Sequence, residues 1–72
     1  MAHWEIRIPT VTADQRDGVQ VFTYSAERYP LQLLAKRQAR ADVASADAIR
    51  HRRGAEAKTD AIKVVWHETY EF

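Results

Sequence analysis

Three histidines, His3, His51 and His67, are the side chains of this 72-residue sequence best suited to metal binding or proton transfer. With Glu5 or Glu71 as a further ligand, the first and last of them could hold a metal ion if strand pairing brought them together. Such a site needs three or four converging ligands, so surface histidines are the simpler interpretation. Because the sequence has no cysteine, thiolate metal sites and disulfides are excluded. We predict no metal site.

Recognisable catalytic motifs are missing from the sequence. There is no phosphate-binding glycine loop, no nucleophile elbow, no metalloprotease helix and no cysteine pair. Gly18 and Gly54, the only glycines, are better suited to a turn and a helix end. No base stands at a spacing that would activate a serine, threonine or tyrosine hydroxyl. We therefore expect that the protein is not an enzyme and uses no cofactor or small-molecule substrate.

The strongest charge pattern is the basic segment from Arg28 to Arg53. It carries seven Lys or Arg against two Asp, a net charge of +5, which leaves −4 for the rest of a chain whose total is +1. Such a segment could contact phosphates while Arg37 or Gln38 reaches a base edge. The candidate nucleic-acid or partner-binding residues are Lys36, Arg37, Arg40, Arg50, Arg52 and Arg53. A simply solvated helix face is the alternative, and the near-neutral total charge favours it.

Residues 30–53 of this segment predict one long helix, about 36 Å in length. Pro30 suits the first turn, good helix formers follow, and Gly54 suits the left-handed residue that closes a helix. Polar side chains fall on the buried side near the middle, which indicates either a helix that overhangs its core or a break near residues 42–45. The break is the less favoured alternative, because only mild N-cap character supports it. At helical spacing the expected buried stripe is Leu31, Leu34, Ala35, Ala41, Ala48 and Ile49.

Three other segments have the pattern of β-strands. Residues 3–8 alternate between polar and apolar side chains, Val19–Tyr24 is rich in β-branched and aromatic residues, and Ile62–Phe72 alternates again. Pro9 should weaken strand pairing, although the first strand could continue past it. Residues 12–18 are expected to form a polar loop that ends in an Asp-Gly turn signal, and residues 54–61 a polar return loop.

The order of these elements predicts an α+β fold, ββαβ, as a single small domain over residues 1–72. Right-handed crossover favours a three-stranded antiparallel sheet of order 2-1-3, with the long helix across one face. The side chains expected on the helix side are Trp4, Ile6, Ile8, Val19, Val21, Ile62, Val64, Trp66, Tyr70 and Phe72. Those expected on the outer side are Phe22, Tyr24 and Val65, among Glu5, Arg7, Lys63, His67, Thr69 and Glu71.

These features favour a small accessory or regulatory protein that binds a macromolecular partner. Phe22, Tyr24 and Val65 would form a partner-facing sheet surface, and a protein partner or a second copy of the chain would cover it. Leu33 and Val43, expected off the buried stripe, would permit a helix-mediated dimer. Nucleic-acid binding through residues 30–53 is the alternative function.

The cellular location of the protein is predicted from the targeting and membrane segments that the sequence does not contain. Neither a membrane-spanning apolar run nor a signal-peptide pattern is present, so we expect a cytoplasmic protein with no membrane partner. The brevity and the lack of motifs would suit a phage or mobile-element accessory protein that inhibits a host factor.

Overall fold

The computed structural model describes residues 1–68. Residues 69–72, which include Tyr70 and Phe72 of the predicted third strand and Thr69 and Glu71 of its other face, lie outside the described residues. The elements in chain order are β1 (Ala2–Val11), β2 (Asp17–Ser25), α1 (Gln32–Val43), α2 (Ala46–His51), β3 (Glu56–Ala57) and β4 (Lys63–Glu68). None of the helices found in residues 1–68 has the length and apolar character needed to cross a membrane.

β1 is the central strand and pairs antiparallel with every other strand of the described chain. β2 lies along one edge of it, with Trp4 opposite Tyr24. β3 and β4 share the other edge, β3 beside Thr10 and Val11 and β4 beside residues 2–7. The predicted α+β class and 2-1-3 antiparallel order are confirmed, with β4 as the predicted third strand. The short β3 lies in the segment that was expected to be a loop.

Pro9 explains why two strands share one edge of β1. The carbonyl of Pro9 accepts a hydrogen bond from the N–H of Lys58 at 2.8 Å, so the backbone of Pro9 faces the side of β3 and β4. Proline has no N–H to donate in return. The partner strand is therefore interrupted between β3 and β4, while β1 continues to Val11 as predicted.

The prediction of one continuous helix is wrong, because the helix is interrupted at Ser45. The backbone of Ser45 is extended, with φ −69° and ψ 155°. Its hydroxyl donates to the carbonyl of Asp42 at 2.6 Å and accepts from the N–H of Ala48 at 3.2 Å. The serine side chain thus replaces helical backbone bonds, ending α1 and capping α2. The helix also begins at Gln32, two residues after the predicted Pro30.

The end of α2 is closed by two residues in the left-handed region. Arg53 has φ 52° and Gly54 has φ 77°. The N–H of Gly54 donates to the carbonyl of Ile49, and that of Arg53 to the carbonyl of Arg50, both at 3.0 Å. These two bonds form a Schellman motif, in which the left-handed position next to the helix belongs to Arg53. The predicted left-handed conformation of Gly54 is confirmed.

The hydrophobic core lies between the sheet and α1. Ile6 and Ile8 of β1 are fully buried, as are Ala35 and Ala39 of α1. The small alanine side chains let the helix lie close to the strand. Val43 completes the buried stripe at 2% exposure, although it was expected to be exposed.

The predicted buried stripe of the helix is wrong at several positions. Leu31 is 61% exposed and Ile49 is 42% exposed, and Ala41 is exposed as well. The prediction assumed one continuous helix from residue 30 onward. Because α1 starts later and α2 is a separate helix, the buried positions follow residues 35, 39 and 43 instead.

The predicted orientation of β2 is also wrong. The hairpin register places Phe22 opposite Ile6, so Phe22 and Tyr24 lie on the helix side of the sheet and pack in the core. Val19 and Val21, expected in the core, are 57% and 47% exposed on the other face. Because side chains alternate along a strand, a register that differs by one residue reverses them all.

The hairpin loop sets this register. The N–H of Thr12 donates to the carbonyl of Arg16 at 3.0 Å, and the N–H of Gln15 donates to the carbonyl of Thr12 at 2.9 Å. Gln15 takes the left-handed conformation, with φ 65°. Gly18 was expected in the turn but lies in β2, where an added Cβ would be 2.9 Å from the hydroxyl of the buried Thr10.

Candidate functional site

The sheet face opposite α1, called the outer face below, has no helix or strand of residues 1–68 packed on it. Both helices contact the other face, α1 through Tyr24 and α2 through Gln20. The pairing of the strands assigns ten central side chains to the outer face. They are His3, Glu5, Arg7, Pro9, Val19, Val21, Thr23, Lys63, Val65 and His67.

A polar network occupies one part of the outer face. The carboxylate of Glu5 accepts hydrogen bonds from the guanidinium of Arg7 and, at 3.2 Å, from Nε2 of His67 when that nitrogen is protonated. The rings of His3 and His67 stack with their centroids 4.8 Å apart. The hydrogen bond from Arg7 is the main cause that lowers the pKa of Glu5 from its ordinary value of 4.5. The network therefore keeps a carboxylate ionised and fixed in position.

Aliphatic side chains occupy the rest of the outer face. Val19 and Val21 of β2 are exposed, and Val65 of β4 is half-buried opposite Glu5. Of the three predicted residues of the partner-facing sheet, only Val65 lies here. Phe22 and Tyr24 are in the core, and the two valines of β2 take their place on the surface.

The sequence contains one signal that could have identified these valines. β2 is apolar on both faces, so alternation alone does not say which face is buried. Aromatic side chains remove more apolar area from water than valines do, roughly 150–250 Å² each. That difference favours burying Phe22 and Tyr24 and leaving Val19 and Val21 exposed.

The outer edge of β2 has no partner strand within residues 1–68. At the two ends of the hairpin, Ala26 donates to the carbonyl of Ala2 and Thr12 to that of Arg16, both at 3.0 Å. Even-numbered residues therefore use their backbone groups toward β1. The backbone N–H and C=O groups of Val19, Val21 and Thr23 point away from β1, toward the open edge.

The basic residues of α1 form a separate candidate surface, the helix patch of Lys36, Arg37 and Arg40. Arg37 and Arg40 are exposed, and Lys36 is half-buried. Beside them Leu33 is 60% exposed. Among residues 1–68, none of the three cations of the helix patch makes an ion pair or a hydrogen bond to another side chain. These predicted residues are brought together and are accessible to a ligand.

The basic residues near the end of α2 are not equivalent to one another. Arg50 pairs with Asp47 at 3.7 Å, with both side chains largely exposed. Arg53 is exposed in its left-handed position. Arg52 instead turns inward, and its contacts are structural. The sequence does not distinguish adjacent arginines, so this difference was not predicted.

The guanidinium of Arg52 holds the two helices and the sheet together. It donates to the carbonyl of Val43 at the end of α1, to the carbonyl of Ala55 at 2.7 Å, and to Oε1 of Gln20 at 3.1 Å. Gln20 in turn donates to the carbonyl of Ala48 at 2.9 Å. These bonds use Nε and Nη1, so the fold fixes the position of the Arg52 side chain and only Nη2 is left for another ligand.

A cleft of about 770 Å³ lies between the end of the hairpin and α2. Arg16 and Asp17 line it from the hairpin, and His51 and Arg52 line it from the helix. In the described part of the chain, no hydroxyl group hydrogen-bonds to a histidine, the pairing that would activate a nucleophile. Apolar side chains, among them Val19 and Phe22, line the cleft together with these charged ones.

The metal site considered for His3 and His67 does not form among residues 1–68. Although these two rings stack beside Glu5, no group of three or more potential ligand side chains in that range converges on one point. The possible contribution of Glu71 lies outside the described residues.

Comparison with protein-family models, with characterised proteins and with solved structures finds no match for this chain. The function proposed below therefore rests on the geometry of the chain itself.

Proposed function

We propose that this protein is a small, non-enzymatic accessory or regulatory protein that acts by binding another protein through the outer face of its sheet. The observation that carries the proposal is the exposure of Val19 and Val21, 57% and 47%, beside a fixed Glu5–Arg7 ion pair on an uncovered face. Apolar side chains bordered by charged ones have the composition of protein-binding surfaces.

The outer face also contains a groove of about 450 Å³, which a partner side chain could fill. Val19 and Val21 line one side of it, and Glu5, Arg7 and Lys63 line the other. Because Arg7 already pairs with Glu5, an apolar partner side chain with a neighbouring carboxylate would contact the valines and Lys63. The charged groups would select and orient that partner more than they would tighten its binding.

The test compares two variants of the immobilised protein in capturing a partner from a lysate of the source organism. Val65→Lys places a charge on the outer face without altering the core, whereas Arg37→Glu with Arg40→Glu alters only the helix patch. We expect a partner that binds the wild type and the helix variant but is lost from Val65→Lys. Retention by Val65→Lys with loss in the helix variant would overturn the proposal.

Nucleic-acid binding is a second candidate function, favoured by one specific observation. The three cations of the helix patch are free of ion pairs within residues 1–68, so they need not break a bond to contact phosphates. Their side chains extend from one rigid helix, which fixes the spacing between them. Arg52 is not counted in this surface, because its hydrogen bonds hold it against Val43, Ala55 and Gln20.

Fluorescence anisotropy with labelled duplex and single-stranded DNA and RNA tests this second candidate, at low and at near-physiological salt. Phosphate binding predicts an affinity that falls steeply with salt and is lost when Arg37 and Arg40 become Glu. Lys63→Glu, which removes a cation from the outer face, is the matched control and should bind normally. The absence of binding even at low salt would remove this candidate.

A further inference from the structure

We infer that two copies of this chain associate by antiparallel pairing of their β2 edges, which joins two outer faces into one continuous surface. The inference deepens the proposed function, on which it rests for the role of the joined surface. The association itself depends on β2 alone, and the oligomeric state can be measured without a partner.

The edge of β2 lacks the features that usually prevent strand pairing between molecules. Soluble proteins protect edge strands with lysine, proline or a bulge. From Gly18 to Ser25 the strand has no charged residue and no proline, and its register with β1 is continuous over nine residues. The opposite sheet edge, β4, is shorter and carries Lys63 and Glu68. β2 is therefore the edge suited to a partner strand.

Two copies of β2 can pair antiparallel with each other when the register is centred on Val21. In that register Val21 faces its copy, Val19 faces Thr23, and Asp17 faces Ser25, so the whole of β2 is paired. These are the odd-numbered residues whose backbone groups point toward the open edge. β-branched side chains pair favourably across strands, and no like charges are opposed.

Charges beyond the ends of β2 favour a second copy over an unrelated strand. Arg16 directly precedes the strand, and Glu27 follows it within two residues. Arg16 pairs with Asp14 at 3.1 Å, but both side chains are largely exposed, and such a pair is weak enough to exchange partners. Antiparallel pairing brings Arg16 of one copy to the end where Glu27 of the other lies, at both ends of the interface. The carboxylate of Glu27 has no ion pair among residues 1–68, so it is available to this contact.

Cysteine cross-linking tests the register, because the natural chain has no cysteine. In a hydrogen-bonded antiparallel pair the Cα atoms are about 5.5 Å apart, within the range that a disulfide bridges. Val21→Cys is therefore expected to form a reducible dimer under mild oxidation, faster than Val65→Cys on the same face. Val19→Cys should link when mixed with Thr23→Cys but not alone. Equal rates for Val21→Cys and Val65→Cys would overturn the register.

Sedimentation equilibrium tests the dimer without cysteines. An edge contact is small, so we expect reversible association, with dissociation in roughly the micromolar to millimolar range. Val21→Pro removes an N–H that points away from β1, so it should yield a folded monomer, whereas Val65→Lys should remain dimeric. A wild-type protein that stays monomeric up to about 1 mM would overturn the dimer. The capture experiment with Val65→Lys would still decide the proposed function independently.

Discussion

The hydroxyl of Tyr24 donates a hydrogen bond of 2.6 Å to the carboxylate of Asp42, which connects β2 to the last turn of α1. The same carboxylate accepts from the amide of Gln38 at 2.9 Å. The buried tyrosine therefore joins the sheet to the helix by a polar contact as well as by packing. This contact holds α1 in place shortly before the chain breaks helical geometry.

Removing the hydroxyl alone should lower stability measurably. Hydrogen bonds to charged groups contribute about 1.5–3 kcal/mol, so we expect Tyr24→Phe to lower the free energy of unfolding by that amount. Urea denaturation followed by circular dichroism measures it. Tyr29→Phe is the control. The ring centroids of Tyr29 and Tyr24 are 5.2 Å apart, but the hydroxyl of Tyr29 makes no hydrogen bond within residues 1–68. An equal loss in both variants would contradict the role given to the hydrogen bond.

Stability should also fall at alkaline pH because of Tyr24. Burial, and then the hydrogen bond to Asp42, raises the pKa of Tyr24 well above its ordinary value of 10.0. The folded state therefore keeps a proton that the unfolded chain releases. This stabilisation is complete below pH 10 and is lost as the pH rises further, by at most about 1.4 kcal/mol per pH unit. Unfolding in urea at several pH values from about 8 to about 11 should show this slope in the wild type and a weaker one in Tyr24→Phe.

Arg52 should matter to stability far more than its neighbour Arg50. Arg52→Ala removes donors from three acceptors, so we expect a loss of about 2–4 kcal/mol. Arg52→Lys should lower stability by most of that amount, because the ammonium group lacks the planar, rigid set of N–H donors with which arginine binds several acceptors at once. Arg50→Ala, which breaks only an exposed ion pair, should change stability by less than about 0.5 kcal/mol. Thermal unfolding of the three variants would show whether this order holds.

Glycine should be tolerated, or favoured, at two positions where the chain places other residues in the left-handed region. Gln15→Gly and Arg53→Gly each relieve a positive φ, which costs roughly 1–2 kcal/mol in other residues and is partly offset by the entropy of glycine. The difference between these two effects gives an expected gain of about 0.5–1 kcal/mol from each, measured by chemical denaturation. Gly54→Ala should lower stability, because alanine is strained at the φ of 77° that Gly54 adopts. Crowding is not the cause, since no atom lies within 4 Å of the added Cβ.

The sequence predicted the order of the strands but not the orientation of β2. Alternation and the rules for connections were sufficient for the 2-1-3 antiparallel sheet. Orientation depended on the hairpin loop, whose left-handed residue is Gln15 rather than glycine. The visible Asp-Gly signal at Asp17 and Gly18 suggested a turn two residues too late. Because β2 is apolar on both faces, the pattern could not correct that error.

The helix break could not be predicted because Ser45 fits two local structures, and the inward arginine because it depends on tertiary contacts. Ser45 is acceptable in an exposed helix and also as an N-cap, so its type does not decide between them. In the folded chain, Gln20 binds the carbonyl of Ala48 and Arg52 binds that of Val43. Both contacts join residues far apart in sequence or on different helices. The same contacts separate Arg52 from the accessible cations of the candidate nucleic-acid surface.

The central position of β1 has a consequence for the protein during its synthesis. β1 can pair with β2 as soon as both strands are synthesised. Its other edge stays unpaired until β4 is complete, because Glu68 at the end of β4 pairs with Ala2. About 40 residues must be added after β2 before that edge is closed, which takes roughly 2–9 seconds at ordinary translation rates. During this interval the nascent hairpin exposes Ile6 and Ile8 without a finished core. Premature termination within β4 would leave a chain that is prone to aggregate and open to proteolysis.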